Sequence, residues 1–138
     1  MSNLTNKNIL LCVTGGIAAY KAAELVRLLK TSNAFVKVLM TKSAQEFITP
    51  LTMQALSGEK VHTDLLSTEA EAAMGHIELA KWCDLIVIAP CSANSLSKIA
   101  EGRGDDLLSA VCLATESEIF IAPAMNQAMW KDKRTQKN

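Results

Sequence analysis

Apolar positions along this chain follow two alternating periods. Asn8 to Val13 is a short apolar run that ends at Thr14-Gly15-Gly16. From Ile17 to Lys30, Ala18, Ala22, Leu25, Val26 and Leu29 recur at helical spacing. Phe35 to Met40 is a second strand-like run, closing a strand–helix–strand unit. Thr41-Lys42-Ser43 follows directly and is placed to cap a helix over Ala44 to Ile48. Pro50 suits the first turn of a helix through Leu56, with Gly58 as its stop. Lys60 to His62 reads as a short strand, Asp64 to Gly75 as a loop, and His76 to Cys83 as a helix.

The second half repeats the alternation. Asp84 to Ala89 has the apolar continuity of a central parallel strand buried on both faces. Pro90 to Asn94 is a predicted loop and Ser95 to Glu101 a helix that Gly102-Arg103-Gly104 breaks. Asp105 or Asp106 caps the next helix, through Ala114. Glu118 to Ala122 is the last strand, and Pro123 to Trp130 turns out of it. Strands alternating with helices predict an α/β fold: a three-layer, doubly wound parallel sheet of the Rossmann-like or flavodoxin-like kind. No repeat or linker divides the chain, so residues 1–130 form one predicted domain, followed by a polar tail at 131–138.

Composition narrows the function classes. Apolar residues make up 49% of the chain and aromatic ones only 4%, which suits helices packed on a buried sheet. Fourteen basic and fourteen acidic residues cancel, so nothing steers the chain towards nucleic acid or an anionic membrane. No apolar run reaches the roughly 18 residues of a membrane helix. The start Met-Ser-Asn-Leu-Thr-Asn-Lys lacks signal-peptide character. A cytoplasmic location is the expectation, with Cys12, Cys83, Cys91 and Cys112 as buried free thiols.

Four segments lie just after predicted strands, where open α/β sheets bind ligands. They are Thr14 to Ile17, Thr41 to Ser43, Ala89 to Asn94, and Pro123 to Asn126, all rich in small or polar residues. Gly15-Gly16 lets backbone amides approach a phosphate, or is simply a tight turn. The second strand ends in Thr41-Lys42-Ser43 rather than an acid, so the ribose diol of a dinucleotide has no obvious partner there. A monophosphate flavin needs only hydroxyls and amides. His76, at a helix start, is either a general base or a capping or surface residue. His62 is expected to face solvent. Asn126 is either a ligand-facing amide or a helix N-cap. Two distant histidines and scattered cysteines give no metal-ligand spacing, so no metal is expected.

Taken together, these segments resemble the flavoprotein family that decarboxylates cysteine derivatives. The resemblance rests on Gly15-Gly16-Ile17-Ala18-Ala19-Tyr20-Lys21, Gly75-His76-Ile77-Glu78-Leu79-Ala80, Ala89-Pro90-Cys91-Ser92-Ala93-Asn94, and Pro123-Ala124-Met125-Asn126 with Met129-Trp130. It implies FMN as cofactor. Gly15, Gly16 and Ile17, with Thr41 and Ser43, would hold the phosphate end. Phe47, Ser92, Ala93, Asn94, Ser95 and Ala124 would line the rest. His76 would be the catalytic base, and Asn126 and Met129 would meet the substrate. The implied reaction is oxidative decarboxylation of 4'-phosphopantothenoylcysteine to 4'-phosphopantetheine in coenzyme A synthesis. The implied assembly is a homotrimer or a larger trimer-based oligomer, with a ligase domain possible in the parent gene.

The pattern departs from the family at Lys133-Arg134, where relatives carry a proline and a small residue before Thr135-Gln136. Residues 131–138 would begin a substrate flap that carries a cysteine further on, and a chain without it would complete only the oxidative half of the reaction. A peptide cysteine decarboxylase, a non-enzymatic flavin-binding module and a plain nucleotide-binding domain remain alternatives. A flavin prenyltransferase would lack the Pro-Ala-Met-Asn segment.

Overall fold

The computed structural model describes residues 4–65 and 74–138. Its sheet has four parallel strands, β1 (Asn8–Val13), β2 (Phe35–Met40), β3 (Leu85–Cys91) and β4 (Glu118–Pro123), in the order β2-β1-β3-β4. The pleat decides which residues face which layer. In central β1, Ile9, Leu11 and Val13 enter one core, with Val36, Val38 and Met40 of β2. Leu10 and Cys12 enter the other, with Ile86 and Ile88 of β3. Both sets are buried, which is why β1 reads as unbroken apolar sequence.

Helices α1 (Lys21–Thr31) and α2 (Pro50–Ser57) cover the first face. Helices α3 (His76–Trp82), α4 (Ala93–Glu101) and α5 (Leu107–Ala114) cover the second. The three-layer, doubly wound architecture is therefore as the patterning predicts. Gly58 ends α2 at φ 79°, a left-handed conformation that glycine adopts without strain.

Several boundaries differ from the sequence expectation. The predicted helix Ile17–Lys30 is a 3-10 turn, Ile17–Tyr20, running into α1. The helix expected over Ala44–Ile48 is a 3-10 turn at Ser43–Glu46. Lys60–His62 makes only an isolated parallel bridge, Leu39 to His62. Pro90 and Cys91, expected in a loop, extend β3, with a register shift against β4 between Ile88 and Cys91. Helix α4 accordingly starts earlier, at Ala93, because Ser92 is its N-cap. The turn after β4 contains a helix, α6 (Gln127–Lys131), and the polar tail another, α7 (Lys133–Lys137), capped by Asp132. Neither buries a residue, in keeping with a tail outside the core. Of the expected loop from Asp64 to Gly75, residues 66–73 lie outside the described residues.

Of the two candidate caps for α5, Asp106 is the one used. Its Oδ1 accepts from the Ser109 amide at 2.8 Å and from the Ser109 hydroxyl at 2.6 Å. Burial alone would raise this carboxyl, but the Ser109 bonds and Lys98 outweigh it and hold it below its usual value. A carboxyl held low in the folded state stabilises the fold above its ordinary range, and that contribution is lost as pH falls through the folded value. Asp106→Ala should therefore cost about 1 kcal/mol at neutral pH. In urea unfolding, the gap from the wild type should narrow as pH drops below 3.8, the ordinary value of this group. A gap independent of pH would show that the ionised cap contributes nothing.

Candidate functional site

The chain leaves β1 towards β2 and returns on the other side of β1 to form β3. Loops leaving the carboxyl ends of β1 and β3 thus diverge, and a crevice opens between them, as at other topological switch points. Lateral hydrogen bonds tie the four post-strand segments together in sheet order. The Thr41 amide donates to Val13 O at 3.1 Å, linking β2 to β1. The Thr14 hydroxyl donates to Pro90 O at 2.6 Å and accepts from the Ser92 amide at 2.9 Å, linking β1 to β3. The Ala124 amide donates to Cys91 O at 3.0 Å, linking β4 to β3. Thr14 is completely buried, and pattern reading did not single out its side chain.

A cleft of about 490 Å³ lies at this edge. Six of the sequence-predicted residues line it: Gly15, Thr41, Ser43, Ser92, Asn94 and Ser95. Each has a local reason for its place. A Cβ on Gly15 would lie 2.6 Å from Ser43 Cβ, so only glycine lets the turns after β1 and β2 approach this closely. Thr41 Oγ1 accepts from the Ala44 amide at 3.2 Å and shapes the turn that carries Ser43. Ser92 Oγ accepts from the Ser95 amide at 3.1 Å. That cap leaves the Ala93 and Asn94 amides in the first turn of α4, where helix geometry provides no backbone acceptor. Gly16 is nearly extended, at φ 159° and ψ 162°, and a Cβ there would meet nothing within 4 Å.

Lys42, inside the expected post-strand segment, and Asp106, read from the sequence as a helix cap, also line the cleft, as do Glu46 and Lys98, which sequence reasoning missed. Lys98 Nζ lies 3.5 Å from Asp105 Oδ1 and 3.4 Å from Asp106 Oδ2. Asn94, Ser95 and Lys98 fall at helical spacing behind the Ser92 cap, the one signal that could have found Lys98.

Other expected residues lie outside the lining of this cleft. Ile17 is 82% exposed and Phe47 half exposed, on the turns that flank it. Ala93 and Met129 share a second depression of about 390 Å³, beside Ser97 and Arg134. Ala124 lines a third, of about 190 Å³, with Ala18 and Pro90. Asn126 is exposed and caps α6, its Oδ1 accepting from the Ala128 amide at 2.8 Å. His76 is the first residue of α3, whose amino end is fixed by Glu78 Oε2 accepting from the Gly75 amide at 2.8 Å. The carboxyl end of α3 meets the start of β1, where Asn8 Nδ2 donates to Trp82 O at 3.1 Å. His76 therefore sits towards the opposite, carboxyl edge of the sheet, on the α4–α5 face.

His62 is not solvent-facing. It is half-buried, its amide donates to Val38 O at 2.9 Å, and burial followed by the charge of Lys37 lowers its pKa. Burial pushes the Cys91 thiol up to about 11 and that of Cys112 up to about 12, and it raises Cys12 as well. Cys12, Cys83 and Cys91 are buried free thiols as expected, whereas Cys112 is only partly buried, and the raised values of Cys12, Cys91 and Cys112 disfavour the nucleophilic thiolate. Among the described residues, no three His, Cys, Asp or Glu side chains gather to hold a metal, and no helix is long and apolar enough to cross a membrane.

Known proteins share this fold. The chain is 55% identical over 138 residues to the coenzyme A biosynthesis bifunctional protein CoaBC of Vibrio vulnificus (strain YJ016), covering all of this chain and 34% of that protein. It is 52% identical to CoaBC of Escherichia coli (strain K12), over 99% of this chain and 34% of that one. The chain thus spans about a third of the length of the curated relatives it matches. Among solved structures, it superposes on a C175S mutant of PPC decarboxylase complexed with pantothenoylaminoethenethiol with a TM-score of 0.77 and 34% identity, covering 96% of this chain and 74% of the other. The FMN-dependent cysteine decarboxylase SpaF gives a TM-score of 0.88 and 32% identity, over 97% of this chain and 77% of that one. The Flavoprotein family matches residues 1–138. The chain belongs to the flavoprotein family.

Proposed function

We propose that the chain binds FMN and catalyses the oxidative decarboxylation of 4'-phosphopantothenoylcysteine, the decarboxylase step of coenzyme A synthesis. The observation that carries this reading is the convergence of three post-strand loops on one cleft, supported by the 55% identity to CoaBC. The cleft suits a flavin mononucleotide in size, since cofactor sites typically enclose roughly 300–1,000 Å³. It suits it in chemistry too. The hydroxyls of Thr41, Ser43, Ser92 and Ser95 and the amides after Gly15 are uncharged partners for a phosphate and a ribityl chain. The open space at Gly16 lets a phosphate come close to the backbone.

When bound, FMN supplies a two-electron acceptor, which a cysteine-derived carboxylate needs because its own framework cannot hold the electrons released with CO₂. The residues of the chain bind and orient. Gly15, Gly16 and Ile17, with Thr41 and Ser43, hold the phosphate end. Ser92, Ala93, Asn94 and Ser95 follow the cofactor outward, with Phe47 and Ala124 at its margins. His76 takes the proton from the substrate thiol. Asn126 donates to the substrate carboxylate through Nδ2, because its Oδ1 is committed to the Ala128 amide. Met129 gives the substrate an apolar contact beside Ala93. Exposed Ile17, Tyr20, Phe47 and Leu51 lie on elements flanking the cleft and offer apolar surface for a trimer to bury. A ligase domain in the parent gene and a cytoplasmic location complete the reading, in keeping with the bifunctional relatives.

Two substitutions test it. His76→Asn should keep stoichiometric FMN while losing turnover by about 10²–10⁴-fold, the usual worth of a positioned base. CO₂ release from phosphopantothenoylcysteine, run beside a Cys-ended peptide, is the assay. Near-normal turnover would make His76 structural, and preference for the peptide would redirect the substrate assignment. Asn126→Asp keeps an equally good N-cap but replaces the donor with a negative acceptor. Substrate affinity should fall by at least about tenfold with FMN binding intact. Unchanged affinity in a substrate titration would remove Asn126 from carboxylate recognition.

A further inference from the structure

The contact across the switch point is made from below the cleft. Thr14 has no exposed surface, so it cannot touch a ligand in the cleft above it. Its hydroxyl nevertheless sets the spacing of both cleft walls. It donates to Pro90 O at 2.6 Å and accepts from the Ser92 amide at 2.9 Å. One residue further along, on one side, is Gly15. On the other side, Ser92 caps α4 through its own hydroxyl. We infer that Thr14 is a positioning residue of the cofactor site: its hydroxyl holds the glycine turn and the amino end of α4 at the separation at which one FMN molecule reaches both. The inference rests on the FMN reading above.

The chemistry requires a hydroxyl. Only a group that donates and accepts at once can satisfy a carbonyl and an amide two residues apart. Serine keeps both bonds, whereas valine keeps the shape and loses both. Thr14→Val would leave the Ser92 amide without its acceptor and Pro90 O with only the longer bond from the Thr14 backbone amide, at 3.3 Å, so the direct tie to the amino end of α4 would be lost.

Thr115 supplies an internal control. Its hydroxyl makes the same pair of bonds, donating to Ala80 O at 3.1 Å and accepting from the Ser117 amide at 3.1 Å. It lies at the opposite edge of the sheet, ahead of β4.

The experiment is FMN titration of the apoprotein by flavin fluorescence, with apoprotein melting measured in parallel. The wild type serves as the reference, and failure of the wild type to bind FMN would overturn the cofactor reading itself. Thr14→Val should weaken FMN binding by at least about tenfold, and Thr14→Ser should stay within about twofold of wild type. Thr115→Val should lower the melting temperature yet bind FMN within about twofold of wild type. The inference is overturned if Thr14→Val binds as tightly as wild type, if Thr14→Ser fails as badly as Thr14→Val, or if Thr115→Val weakens FMN equally. Should Thr14→Val not fold, Thr14→Ala, which vacates rather than crowds the site, takes its place. Failure of both to fold would assign Thr14 to the stability of the sheet and overturn its positioning role.

Discussion

A buried threonine, Thr14, joins the two halves of this sheet where they diverge. Strands β1 and β3 pair through Ile9 to Cys12, and beyond that the chain turns to opposite sides. Past Cys12 the Thr14 amide still donates to Pro90 O, at 3.3 Å. The Thr14 hydroxyl adds a second bond to Pro90 O and extends the link to the amino end of α4 by accepting from the Ser92 amide. Leaving the Ser92 amide unpaired would cost up to roughly 1–3 kcal/mol. The bonds from Thr41 to Val13 and from Ala124 to Cys91 extend the same tie outward, so that all four post-strand segments are linked into one rim.

That rim shapes the chemistry available above it. Close approach of the first two loops demands glycine at position 15, because Ser43 occupies the space a side chain would need. The third loop presents a helix start at which Ser92 Oγ takes the Ser95 amide, and helix geometry provides no backbone acceptor for the Ala93 and Asn94 amides. Of the charged groups lining the cleft, Lys98 pairs with Asp106 and with neighbouring Asp105, and Asp106 bonds Ser109, while Lys42 and Glu46 also line it. What is left to meet a ligand is mostly hydroxyls and amides, a donor set suited to a phosphate and a polyol chain rather than to a metal.

Much of this was legible in the sequence where short-range pattern decides. The runs Asn8–Val13 and Phe35–Met40 are strands to the residue, because each is apolar apart from one polar position, Asn8 or Lys37, and is followed by turn-forming residues. Ser43, Ser92 and Asn94 were found by their place after strands. Pairing across the sheet was not legible. Pro90 and Cys91 look like loop residues locally, yet they remain in β3 because Thr14 and β4 hold them there. Lys98 and Asp106 lie eight positions apart on two helices, and only tertiary packing brings them to one cleft. At Asn126 the capping role read from the sequence holds, and it does not exclude the other: the carbonyl oxygen caps α6 while the residue stays exposed.

The function proposed for this member of the flavoprotein family depends on where the cofactor sits. A crystal structure of the FMN-loaded protein tests that most directly. The expected result has the phosphate hydrogen-bonded to amides of Gly15 to Ile17 and to the hydroxyls of Thr41 and Ser43, with the rest of the cofactor following the Ser92–Ser95 wall. Flavin bound elsewhere on the molecule, or bound here with its phosphate away from the glycine turn, would contradict it.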